Sequence, residues 1–282
     1  MTDRMKTQKR DTAVHVVILG HVCIDHITRD GHSTTAPGSP AYFIARTLTN
    51  AHVTVIAPHG HDFDALPHHL QFATPTRGEH TLSFDNTIHA HERTQSVHEL
   101  ESATPQPLTR PERRALANAD IVILTPLVNR LPADYVTTAL NAARPDTLVA
   151  LLPQGYLRQV GPDGAVTQTL STQLLPVAAE CALIVFSDED SPDPEVLAWW
   201  LTELPHRPRV IVTCADQPAL GIEDLETITV PTRPIPPERI QSPVGAGDVF
   251  AAHCALAMHA GESFDEVIRA GHVAAAQHLI HG

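Results

Sequence analysis

Six short runs of β-branched and aliphatic residues, at 14–19, 53–57, 121–125, 148–152, 183–186 and 210–213, constrain this chain more than any other feature. Each is almost continuously apolar, which is the mark of a strand buried on both faces, and such strands belong to parallel sheets covered by helices on either side. The segments between them carry helix starts. Ser39 stands as a cap with Pro40 in the first turn, Thr109-x-x-Glu112 and Ser263-x-x-Glu266 have the form of capping boxes, and Pro132 opens another helix. The order is βαβ, so the fold class expected is α/β: three layers, α/β/α, around a mostly parallel central sheet. Two consecutive helices, at about 246–260 and 264–280, are expected to close the chain.

One segment breaks this rhythm. Between Gly78 and Leu100, the β-formers Thr81, Phe84, Thr87, Ile88, Thr94 and Val97 are spaced among polar residues, with Asp85-Asn86 read as a turn. This predicts a half-exposed hairpin, either a small lid over a site or a surface decoration. The organisation expected is a single domain over 1–282 with lid segments at about 26–38 and 76–100. The proline-rich stretch 231–237 reads as an extended connector into the segment that follows.

The formal charge of −13, with 19 Lys and Arg that form no stripe, argues against nucleic acid as a partner and for small-molecule chemistry. No stretch has the apolar length of a signal peptide or a membrane span, so a cytoplasmic address and no membrane partner are expected. Cys23, Cys181, Cys214 and Cys254 lie far apart, three of them within apolar runs, and read as reduced packing residues. The 19 histidines, among them His59, His61, His68, His69, His89 and His91, fall on polar segments without metal spacing and read as solvated or lid-strand residues.

The connector leads into Ser242-Pro243-Val244-Gly245-Ala246-Gly247-Asp248-Val249-Phe250 and an Ala-rich helix. Small residues let a ligand approach the backbone, and Gly245, Ala246 and Gly247 would present amides at the positive end of the helix, where a phosphoryl group gaining charge is stabilised. A carboxylate beside that anion site, Asp248, is poorly suited to hold phosphate and well suited to take the proton of an attacking hydroxyl. The same residues also describe a glycine-rich helix start with an acidic first turn.

This segment resembles the second signature of the ribokinase-like (pfkB) carbohydrate kinases, D-T-x-G-A-G-D, with Ser242 and Val244 in place of the usual Asp and Thr. The resemblance runs in the family's order from about Val16 to Gln277. It implies an ATP- and Mg²⁺-dependent transfer of phosphate to a hydroxyl of a sugar, polyol or nucleoside, with Asp248 as base and the Gly245, Ala246 and Gly247 amides as anion hole. Leu19-Gly20-His21-Val22-Cys23-Ile24-Asp25 is similar to the first strand and loop, which makes Asp25 the anchor for acceptor hydroxyls; in physical terms it could also only tighten that loop. Ala36-Pro37-Gly38-Ser39-Pro40-Ala41-Tyr42 resembles the Gly-Gly hinge segment, with Pro37 for one glycine and Tyr42 where many members have Asn. Gly38, Ser39 and Tyr42 are therefore expected at the acceptor.

Pro153-Gln154-Gly155-Tyr156-Leu157-Arg158 and the strands from Thr81 to Val97 are similar to a branch that includes inositol-kinase-like proteins. Ser187-Asp188-Glu189-Asp190 occupies the position of Asn-x-x-Glu, so Asp190 is expected to hold Mg²⁺ through water, although an acidic run of this kind is also what a solvated loop looks like. Ser187, Thr213, Ala215 and His272 are expected at the nucleotide, Ala215 and Pro218 replacing glycines and His272 an Asn. Lids of this family sometimes pair between subunits, and a homodimer is compatible with the resemblance. The competing function is a catalytically weak member that binds and senses a sugar or nucleotide.

Overall fold

The computed structural model describes residues 13–29, 31–89 and 92–282. In chain order the regular elements are β1 (Val14–Gly20), β2 (Cys23–Arg29), β3 (His32–Gly38), α1 (Pro40–Thr47), β4 (Ala51–Ile56), α2 (His61–Asp64), β5 (Ser83–His89) and β6 (Glu92–His98). There follow α3 (Arg110–Ala117), β7 (Ile121–Thr125), α4 (Ala133–Leu140), β8 (Leu148–Leu151), β9 (Arg158–Val160), β10 (Val166–Gln168), α5 (Leu174–Ala178) and β11 (Leu183–Ser187). The chain closes with α6 (Pro194–Thr202), β12 (Arg209–Cys214), β13 (Gln217–Glu223), β14 (Glu226–Val230), α7 (Ala246–His259) and α8 (Phe264–His281).

The six apolar runs become β1, β4, β7, β8, β11 and β12, and they lie side by side and parallel in an eight-stranded sheet of order β14-β13-β12-β11-β8-β7-β1-β4. Alternation along each strand sends side chains to opposite faces. Val16, Ile18, Ile121 and Ile123 pack with α1, α7 and α8, whereas Val17, Leu19, Val122 and Leu124 pack with α3 to α6. Each of these residues is at most 2 % exposed, and full burial of such a side chain is worth roughly 1.5–3 kcal/mol. The antiparallel edge strands β13 and β14 carried no comparable signal, because Pro218, Gly221 and Glu223 interrupt the apolar run.

The capping boxes at Thr109 and Ser263 form: Thr109 N–H donates to Glu112 Oε2 at 2.6 Å and Ser263 N–H to Glu266 Oε2 at 3.2 Å. Ser39 does precede α1, but its side chain makes no cap hydrogen bond, and its φ of 97° is a conformation that glycine adopts without strain.

A second sheet of four strands, ordered β3-β2-β5-β6, stands at the carboxyl end of β1. β2 and β5 are parallel, while the two outer pairings are antiparallel. Asp85-Asn86 is not a turn: both residues lie inside β5, where Asn86 faces Gln95 on β6 and Ile27 on β2. The polar pair misled because one of its members points to solvent while the other is buried. Cys23, Phe84 and Val97 anchor this lid on Leu82, Ala103, Leu127 and Val128. The β9-β10 hairpin extends it, Ser96 bridging Ala165 and Val97 N–H donating to the Gly164 carbonyl at 2.9 Å.

Not every histidine follows the polar-segment expectation. His21, His59 and His278 are buried, and His59 stacks on Phe72 with ring centroids 3.9 Å apart. His89 and His91 fall where no side chain is described.

Candidate active site

The Gly245 backbone turns α7 into place. Its φ of 86° is the left-handed conformation, and a Cβ there would collide with the Phe43 ring, so glycine is required on both counts. Gly247 differs, because a Cβ on it would meet nothing within 4 Å, and its backbone therefore borders open space. Of the three amides expected in the anion hole, Ala246 N–H already makes a long 3.4 Å bond to the Pro243 carbonyl, and the first amides of a helix have no acceptor within the helix itself.

Asp248 occupies the first turn of α7. Burial pushes its carboxyl up to about 7, the Asp190 carboxylate adds to that, and the Arg158 guanidinium works against it. The residue keeps some solvent contact, so the picture is of a carboxyl deep in a crevice rather than one sealed in the core. Its field reaches a second group: the Cys23 thiol is raised by burial first and then by the charges of Asp25 and Asp248. Two of the expected carboxylates thus bear on one thiol.

Asp25 lies on β2 with its Oδ1 4.0 Å from Cys23 Sγ and 3.4 Å from Asn86 Nδ2. Across the strand pair, a Cβ on Gly38 would collide with Asp25 Oδ2, so the absence of a side chain at Gly38 makes room for the carboxylate. Ser39 follows directly, 5 % exposed, with a buried Oγ that has no hydrogen-bond partner. Tyr42 turns another way: its ring meets Phe43 edge-on at 5.4 Å and lies under the Arg46 guanidinium at 5.5 Å, and Arg46 in turn donates to the Gly282 carbonyl.

At the end of β11, Ser187 and Asp190 form a small capping box, with Asp190 Oδ2 accepting from Ser187 N–H at 3.0 Å. The other oxygen, Oδ1, lies 3.9 Å from Arg158, and the side chain is 12 % exposed. Among the described residues no group of three or more His, Cys, Asp or Glu could cage a metal. A single carboxylate with one oxygen committed suits a hydrated Mg²⁺ that takes its remaining ligands from phosphates and water. Ser187 stands beside Thr213 in the sheet register, and Thr213 Oγ1 donates to the Phe186 carbonyl at 3.4 Å. Ala215 then takes a φ of 39°, a left-handed conformation at a position where the signature carries glycine. Burial lowers the His272 pKa, and the ring contacts the Val230 carbonyl at 3.3 Å and the Phe250 ring at 5.1 Å.

The structure thus brings Asp248 within electrostatic reach of Asp190 and Arg158, and with Asp25 it bears on the Cys23 thiol; Gly38 borders Asp25, and Ser187 and Thr213 pair at neighbouring strand ends with Ala215 just beyond. Sequence reasoning quoted Arg158 without giving it a role, and it missed Asn86 and Gln95. The period-two spacing of Phe84 and Asn86 was the available signal for the last pair. A cavity of about 370 Å³ lies on the opposite face of the sheet, lined by residues including Leu19, Arg77, Glu112 and Tyr135. It contains none of the expected site residues, and both oxygens of Glu112 are engaged by Thr74 and Thr109.

Comparison with known proteins gives this arrangement a context. The solved structure of a pyrophosphate-dependent kinase in the ribokinase family, complexed with a pyrophosphate analog and myo-inositol, is 14% identical, with 94% of this chain and 95% of that chain covered at a TM-score of 0.72. Arabidopsis thaliana ribokinase, complexed with ribose and ATP, is 16% identical over 96% of this chain and 94% of that chain, TM-score 0.67. Trypanosoma brucei brucei adenosine kinase is 14% identical over 96% and 100%, TM-score 0.66. At these identities the likeness is one of fold. No curated protein matches the chain. The family model for pfkB family carbohydrate kinase matches residues 86–280, well over half the length, and the chain therefore belongs to the pfkB carbohydrate kinase family.

Proposed function

We propose that the chain is a cytoplasmic kinase that moves the terminal phosphate of ATP onto a hydroxyl of a small sugar, polyol or nucleoside. The observation that carries this reading is Asp248 in the first turn of α7, within electrostatic reach of Asp190 and Arg158 and bearing, together with Asp25, on the Cys23 thiol. A carboxyl raised to about 7 accepts a hydroxyl proton near neutral pH far more readily than one at the ordinary aspartate value. Asp25 binds and orients the acceptor. The amides opening α7 receive the phosphoryl group, and Arg158 places a positive charge beside the same carboxylates. Asp190 would hold Mg²⁺ through water. When bound, the ion neutralises phosphate charge and orients the donor.

A second reading, pyrophosphate as donor, is favoured by Ala215 and Pro218 in the loop that carries glycines in the signature, and one structural neighbour uses that donor. The test is a donor-by-acceptor panel: ATP and pyrophosphate against cyclitols, sugars and nucleosides, with Mg²⁺, read as phosphorylated product by mass. A product with ATP supports the proposal, while a product with pyrophosphate alone moves it to the second reading. Binding of acceptor and donor without product under saturating Mg²⁺ identifies a sensor.

A further inference from the structure

The carbonyl of Val244 and the amide N–H of Gly245 belong to one planar, trans peptide unit, so they point in opposite directions and turn together. That N–H is the first of the three expected in the anion hole, and it finds no acceptor among the described residues, whereas Ala246 N–H is engaged by the Pro243 carbonyl. On the other side of the same unit, His278 Nε2 lies 2.8 Å from the Val244 carbonyl oxygen. A carbonyl only accepts, so Nε2 carries its hydrogen and donates. His278 stands near the end of α8, buried, with its ring edge-on to Phe43 at 5.8 Å. The unit it holds is easily misplaced, because a peptide plane flips by opposite rotations of the torsions on either side and a flanking glycine lacks the Cβ that would oppose them. Val244 is 45 % exposed, and its own N–H is bonded locally, to Ser242 Oγ at 3.3 Å. The contacts from outside the loop come from two helices. Phe43 of α1 fills the place of a Gly245 Cβ, and α8 supplies both His278 and the Leu279 carbonyl, which accepts from Gln241 N–H at 2.9 Å. Arg46 of α1 joins the two helices by donating to the Gly282 carbonyl at 2.7 Å.

We infer that His278 is a positioning residue for phosphate transfer: its donation to the Val244 carbonyl sets the direction of the Gly245 N–H and presents it to the transferred phosphoryl group. The inference rests on the anion-hole role proposed above for the amides that open α7. The hydrogen bond acts in two ways. It fixes the peptide plane before the phosphate arrives, so that no reorganisation is needed as charge develops. It also draws electron density towards the carbonyl oxygen, which makes the N–H of the same unit a stronger donor. If the ring served only to fill the space beside Phe43, any side chain of similar volume would serve as well, and this separates the two roles.

The test compares three variants: His278→Gln, whose amide carries a donor to the place of Nε2; His278→Asn, whose amide reaches only the place of Nδ1; and His278→Phe, which keeps a ring and loses the donor. Steady-state kinetics, with ATP or pyrophosphate as the wild type requires, is the first readout. The second is NMR of protein carrying ¹³C at the Val carbonyl and ¹⁵N at Gly, which selects the two Val-Gly amides, Gly161 and Gly245, told apart by Gly161→Ala, during titration with pyrophosphate and Mg²⁺. The expected result is a kcat about tenfold or more lower in His278→Asn and His278→Phe with acceptor KM unchanged, and a kcat within about threefold of wild type in His278→Gln. The Gly245 signal should move with pyrophosphate in wild type and His278→Gln, and less than half as far in the other two. Wild-type kcat and Gly245 response in His278→Asn or His278→Phe would overturn the assignment, as would a His278→Gln protein as impaired as His278→Phe, or a wild-type Gly245 signal that ignores pyrophosphate. Should melting show that His278→Phe does not fold, the comparison of His278→Asn with His278→Gln decides. A Gly245 response lost with the donor, but no phosphorylated product from any of the proteins, would fail the kinase reading alone and keep the role of His278.

Discussion

At the scale of single residues, Asp248 and His21 pull the pH dependence of stability in opposite directions. His21 is buried at the end of β1, its Nδ1 accepts from Leu127 N–H at 3.0 Å, and burial lowers its pKa to about 4. Its folded pKa is depressed below the ordinary 6.5, so stability falls as pH drops from 6.5 towards about 4, where the unfolded chain alone takes up the proton. Asp248 is an acid raised from 3.8 to about 7, so in the folded state it holds a proton that the unfolded chain has lost, and stability falls as pH rises through that interval. Asp248→Asn removes only the second effect. Chemical denaturation of the variant should show greater stability than wild type at pH 8, by a few kcal/mol at most, and a steeper decline between pH 6.5 and 4. Its kcat should fall by about 10²–10⁴ with acceptor affinity kept, and the wild-type kcat/KM should rise with pH through about 7, the value for the Asp248 carboxyl. Gly38→Ala drives a methyl group into Asp25 Oδ2, and acceptor KM should rise about tenfold while donor KM holds, as steady-state kinetics would show.

At the scale of elements, the lid is where sequence and structure part. The six core strands and the paired closing helices were legible because burial on both faces, or a 3.6-residue period, writes itself into composition over many residues. β5 was half legible. Its floor residue Phe84 reads as a strand, but Asp85-Asn86 carries turn chemistry, and only the pairing of Asn86 with Ile27 and Gln95 shows that a polar side chain is the buried one. Asp248 and its glycines were legible as a local motif, whereas Arg158 and Gln95 reach the site through pairings that no local window contains. The β9-β10 hairpin is held by Gly164, whose φ of 81° and closeness to the Val97 carbonyl, 2.7 Å from a would-be Cβ, admit no side chain. Gly164→Ala should cost roughly 1–3 kcal/mol in local stability. Hydrogen exchange would register it as faster exchange of the Val97 amide, with β1, β7 and β8 unchanged.

At the scale of the whole molecule, the eight-stranded sheet is a fixed frame, and what it carries at the carboxyl ends of its strands is one connected assembly rather than two separate sites. The β9-β10 hairpin begins at Arg158, beside Asp190, and pairs at its far end with β6 of the lid. Gln168 at its return donates to the Glu189 carbonyl at 2.7 Å. No helix among the described residues is long and apolar enough to cross a membrane. On the function proposed above, a phosphoanhydride held at these strand ends is exposed to a competitor always present at high concentration, water. On the reading proposed above, the β9-β10 hairpin ties Arg158, beside Asp190, to β6 of the second sheet, so the positive charge offered to the donor is coupled to the strands that seat the acceptor, and idle hydrolysis is held back. Gln168→Ala, which frees the hairpin from Glu189, should therefore make the enzyme leaky: the ratio of donor hydrolysed to acceptor phosphorylated should rise several-fold in a coupled assay of both products, with the acceptor bound as before.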